Sequence, residues 1–110
     1  MKPVILSALL VMLAVNRVSI KVDRTVLFAG NGITITCTVP RHPDNRMVAA
    51  VLVGYTSSEH QLDGEASPIT HRFPFKSVSC DTIEARCELH DKFGGTAIQN
   101  QSLEIQGCEP

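Results

Sequence analysis

The chain has 110 residues, enough for one domain and little more. Ten basic against eleven acidic residues give a net charge of −1, and the only aromatic residues besides histidine are four Phe and one Tyr. With no basic stripe and few rings to stack on bases, the composition argues against a nucleic-acid partner.

Residues 1–16 are the first element. Lys2 gives a positive start, Pro3 to Val15 is apolar except for Ser7, and Asn16 and Arg17 end the run. Thirteen residues rise only about 20 Å as a helix, short of the ~30 Å hydrocarbon core. The expectation is a short leader helix, read as a signal-peptide h-region, with an uncleaved anchor or a buried first strand as alternatives. Ala14 has bulky Met12 two positions before it, and Ser19 has Arg17, so no A-x-A-like cleavage site stands out. Residues 17–110 then form the single folded domain.

In that body, Val18, Ile20 and Val22 alternate with Ser19, Lys21 and Asp23, and Val26 and Phe28 continue the pattern to a turn at Gly30-Asn31-Gly32. The segment from Ile33 to Val39 alternates strictly, with Cys37 on its apolar face. An apolar run at 47–53, between Pro/Asp/Asn-rich loops, predicts a strand covered on both faces or nearly so. The stretch 54–68 is polar and long for a hairpin connection, and is read as a candidate binding loop carrying Tyr55, His60, Asp63 and Glu65. Residues 41–46 form a second candidate surface. Ile69, His71, Phe73 and Phe75 make another alternating set, and Pro74 within it suggests an edge. The segment from Ile83 to His90 alternates with Cys87 on its apolar side, and Asp91-Lys92-Phe93-Gly94-Gly95 reads as a hairpin turn. In the last strand, from Thr96 to Gln106, Ile98 falls on one face and Leu103 and Ile105 on the other, which predicts a bulge near Gln99 to Gln101. About seven short strands without a helical period favour an all-β sandwich, with an open barrel as the alternative.

Four cysteines, Cys37, Cys80, Cys87 and Cys108, follow the leader. An even count in a short exported chain points to disulfides, with three possible connectivities. Strand residues alternate between faces, so Cys37 and Cys87 point into the same core, as a cross-sheet bridge requires.

This pattern resembles an immunoglobulin-like domain over about residues 18–106. Cys37 matches the family's second-strand cysteine, Cys87 its sixth-strand cysteine, and Asp81 the aspartate that opens the D-x-[GA]-x-Y-x-C motif. The chain departs from that pattern in having no tryptophan, Ala85 at the corner-tyrosine position and Ile83 in place of a small residue. The resemblance implies an antiparallel sandwich whose poles bring Cys108 near Cys80, and so a second bridge. The chain is also similar to short immunoglobulin-like reading frames of tailed phages.

The four histidines, His42, His60, His71 and His90, show no H-x₃₋₅-H spacing and the cysteines no C-x-x-C, so they are read as scattered surface histidines, with no metal and no cofactor expected. Cys87 and His90 fall on opposite strand faces, and no fingerprint for phosphate, dinucleotide or serine chemistry occurs. The chain is accordingly expected not to be an enzyme. Asn100-Gln101-Ser102 is a glycosylation sequon of consequence only in a eukaryotic secretory pathway. The functional expectation is an exported module engaging a protein or cell-surface glycan; the alternative is a structural accessory of a virus or phage particle. Its expected place is secreted, periplasmic or on a cell or virion surface, with membrane contact only through the leader.

Overall fold

The computed structural model describes residues 18–108, and the leader read over 1–16 lies outside them. Nine strands form among the described residues. They are β1 (Ser19–Val22), β2 (Val26–Phe28), β3 (Ile33–Thr38), β4 (Asn45–Val53), β5 (Thr56–Gln61), β6 (Thr70–Phe75), β7 (Glu84–Asp91), β8 (Thr96–Ser102) and β9 (Glu104–Gln106). One 3-10 turn, Gly64–Ala66, lies between β5 and β6. Among the described residues no helix is long and apolar enough to cross a membrane.

Side-chain alternation sorts the strands into two layers. Ile33, Ile35 and Cys37 of β3 and His71 and Phe73 of β6 point inward, while Thr34, Thr36 and Thr38 point out. On the other side Val48, Ala50 and Leu52 of β4 and Ala85, Cys87 and Leu89 of β7 are buried. The first layer runs β1-β3-β6 and the second β5-β4-β7-β8, both antiparallel. Cys37 and Cys87 are disulfide-bonded across the layers, and neither exposes surface. Apolar side chains of both layers and the bridge make one core.

Ala49 is also buried, on the outer side of β4, so this central strand is covered on both faces there. The Asp91–Gly95 turn forms as read: Asp91 Oδ1 accepts from Phe93 N at 2.9 Å and Gly95 N at 2.7 Å, the side-chain turn that aspartate favours.

Five expectations need correction. First, Leu27, not Val26 or Phe28, enters the core from β2: Leu27 is 3% exposed against 52% and 59% for its neighbours. The chain turns over between β1 and β2, which resets parity, and β2 then pairs parallel with β9 through Val26↔Glu104 to Phe28↔Gln106. Second, no bulge occurs at Gln99 to Gln101. The β7–β8 register is unbroken from Glu84↔Ser102 to His90↔Thr96. Ala97, not Ile98, faces inward, and the chain leaves β7 at Leu103 to join β2. The irregularity lies instead in β4, between Asn45 and Met47. Third, Ile83 is exposed and Thr82 is buried in its place, because the strand begins only at Glu84. Fourth, much of 54–68 is strand. A tight turn at Gly54 and Tyr55 leads into β5, whose six residues are all exposed, so neither face supplies the alternation by which a strand is recognised. Fifth, His71 is not at the surface but buried.

Candidate recognition surface

The registers place three connections at one pole: 39–44 between β3 and β4, 62–69 between β5 and β6, and 92–95 between β7 and β8. Asn45, 2% exposed, anchors the first of them. Its Nδ2 donates to Pro40 O at 2.9 Å and its backbone N to His42 O at 3.2 Å. Arg46 Nη1 donates to Pro43 O and to Asn45 O, so the guanidinium clasps the same loop from its far side.

The other two connections are held against this one. Leu62 N donates to Arg46 O at 2.8 Å, and Gly64 sits so near Pro43 that an added Cβ would stand 2.9 Å from the Pro43 carbonyl oxygen. The positive φ of Gly64, 55°, makes that approach possible. Ser67, nearly buried, accepts from Asp63 N and shapes the turn. Lys92 N donates to Asp44 O at 2.9 Å, and Lys92 Nζ lies 3.4 Å from Asp44 Oδ1. The same carboxylate meets His42 Nδ1 at 3.7 Å. Pro40, Arg41, His42 and Asp44 line a depression at this pole. Beside it Phe93, at 76% exposed, is the most exposed of the large apolar residues described, with Lys92 Nζ 5.1 Å from its ring centre.

The four residues of the candidate loop do not come together. Asp63 and Glu65 are exposed at the loop pole. Tyr55 lies at the opposite pole, in the β4–β5 turn, where Gly54 closes on Asp81 and Ile83. His60 lies within β5 and makes structural contacts. It stacks on Phe73 with ring centres 4.3 Å apart, and its Nδ1 is 3.1 Å from His71 Nδ1. His71 Nε2 is 2.8 Å from Pro68 O, and a carbonyl can only accept, so this nitrogen carries hydrogen. In the neutral ring Nδ1 of His71 is then the acceptor for the Nδ1 hydrogen of His60. The pair ties β5 of one layer to β6 of the other. Residues 41–46, the second candidate surface, do lie at the loop pole. What the sequence reading missed is Phe93; the available signal was a phenylalanine in a turn, where no core requires one.

The second disulfide, Cys80–Cys108, sits at the far pole and fixes the tail after β9 to the corner before β7. No free cysteine remains. Among the described residues no three His, Cys, Asp or Glu side chains converge as a metal-ligand set. Two disulfides fit an oxidising, extracellular environment.

These features define a small all-β domain, cross-linked twice, with three interlocked loops at one end. No family model matches the chain. No curated protein matches it either. Its fold is similar to that of a superoxide reductase (neelaredoxin) from Ignicoccus hospitalis, with a TM-score of 0.59 over 81% of this chain and 79% of that one, at 10% identity. The likeness is one of fold. It overturns the expectation that the chain is not an enzyme: that expectation rested on the absence of familiar catalytic motifs, and a similar architecture carries a reductase.

Proposed function

We propose that the chain is an exported recognition module of immunoglobulin-like fold that engages a protein or surface glycan through the loop pole. The layer β1-β3-β6 opposite β4-β7-β8 corresponds in order to the A-B-E and C-F-G strands of such domains, with β5 added at the β4 edge. The observation that carries the reading is the interlocking of 39–44, 62–69 and 92–95 on a disulfide-bonded frame, with Phe93 projecting beside cations and carboxylates. Loops fixed this way lose little entropy on binding, and a protruding aromatic ringed by polar groups is how interface anchors are built.

Labelling whole cells with the fluorescent oxidised protein tests this. Phe93→Ala should lower the affinity at least tenfold, as truncating a central aromatic anchor typically does. Prior protease or glycosidase treatment of the cells distinguishes a protein from a glycan partner. Equal labelling by Phe93→Ala and the parent protein would overturn the reading. Fixed-stoichiometry association with purified particles, and none with cells, would assign the chain to a particle instead.

A further inference from the structure

The outer face of β1-β3-β6 borders the loop pole at its Ser19-Thr38-Thr70 end but is built from other residues and carries a different chemistry. Strict alternation sends Thr34 and Thr36 of β3, Lys21 of β1, and Thr70 and Arg72 of β6 to this face. The registers set Lys21, Thr36 and Arg72 in one rank across the three strands, with Ser19, Thr38 and Thr70 in the next rank. At ordinary strand spacing the Lys21 and Arg72 backbones are about 10 Å apart, so their long side chains can close on one group above Thr36. Lys21, Val22, Asp23, Thr34, Thr36, Thr70 and Arg72 line a depression on the sheet.

Neither cation is paired with a carboxylate among the described residues, whereas Lys92 is held by Asp44 and Arg86 by Glu84 and Glu88. Asp23 is turned partly to the backbone, its Oδ1 accepting from Thr34 N at 3.1 Å. The depression therefore offers two cations on one rank, a line of hydroxyls and one carboxylate. A chain of phosphates fits this poorly, because Asp23 repels a continuous anion and the molecule as a whole is not basic. A ligand with isolated anionic groups set among neutral hydroxyls fits both halves of the surface.

We propose that this face is a binding site for an acidic glycan, a saccharide bearing carboxylate or sulfate groups. Arg72 and Lys21 hold the anionic group by charge-assisted hydrogen bonds, and the threonine hydroxyls meet the sugar hydroxyls. This site stands on residues separate from the loop pole, so the failure of either proposal leaves the other intact.

Titration calorimetry of the oxidised protein with hyaluronan, keratan sulfate, neutral dextran and single-stranded DNA tests it. Binding to hyaluronan or keratan sulfate is expected, the stronger of the two showing whether carboxylate or sulfate is preferred, with none to dextran and little to DNA. Lys21→Ala or Arg72→Ala should each weaken binding about tenfold, the double variant should abolish it, and Thr36→Val should weaken it a few-fold. Lys76→Ala, which removes an exposed cation just after β6 and outside both surfaces, should leave the affinity unchanged. All the substituted side chains point away from the core, and unchanged thermal melts will show that the variants fold. Binding to neither acidic glycan, equal binding to DNA, or undiminished binding by the Lys21/Arg72 double variant would overturn the proposal.

Discussion

Asn45 shows how much of a functional surface can hang on one side chain that never reaches it. It is buried, its amide bonds Pro40 O, and its own carbonyl is clasped by Arg46. Asn45→Ala removes the donor and leaves the Pro40 carbonyl without it in a partly buried place. The expected loss is about 1–3 kcal/mol in urea unfolding, with faster amide exchange confined to 39–44. Gly54 is a second such position. Its φ is +91°, and a Cβ there would stand 2.4 Å from the Asp81 carbonyl oxygen. Gly54→Ala combines an unfavourable backbone region with a backbone clash, and should cost about 1–3 kcal/mol in equilibrium unfolding. Gly30 is a control, since its φ is +92° but an added Cβ meets nothing within 4 Å. Gly30→Ala should therefore cost less than Gly54→Ala.

At the scale of strands, burial decides what the sequence could disclose. β3 and β7 bury one face each, so their alternation was readable residue by residue, and with it the placing of Cys37 and Cys87. β5 buries neither face and carries only polar residues, so nothing marks it as a strand except its pairing with β4. Likewise Ile98 is more apolar than Ala97, yet Ala97 is the residue under the sheet, because register with β7 and not hydrophobicity fixes which side faces in. Two substitutions separate these parities. Ile98→Thr should change stability by no more than about 0.5 kcal/mol, as at an ordinary exposed position. Leu27→Ala should cost about 2–5 kcal/mol, the loss typical of a buried leucine, although Leu27 lies between two more prominent exposed side chains. Denaturant midpoints with unchanged slopes would measure both. The candidate site was legible only in part for the same reason. Loop residues such as 41–46 and Asp63 announce polarity, but only the folded registers reveal which loops share a pole.

For the molecule as a whole, the two bridges do different work. Cys37–Cys87 closes an interval of 50 residues through the core, and Cys80–Cys108 closes 28 residues at the far pole. On the chain-entropy estimate they restrict the unfolded chain by about 4 and about 3.5 kcal/mol respectively. Together that is comparable with the total of about 5–15 kcal/mol that ordinarily holds a domain folded. The chain reduced at both bridges should consequently be largely unfolded or molten at 25 °C, which far-ultraviolet circular dichroism with and without reductant would show. Losing only the outer bridge, in a Cys80→Ala/Cys108→Ala variant, should be milder and local. The variant should keep its layers and its loop pole, while the amides of Glu104 to Gln106 exchange faster because the tail no longer holds β9 against β2. A double variant that melts as cooperatively as the parent but several kcal/mol lower, with exchange raised at β9 and not at 39–44, would place the outer bridge as a clamp on the tail alone. If exchange rose equally at both poles, the two ends would be mechanically coupled through the core, and the independence of the loop surface from the tail would be lost.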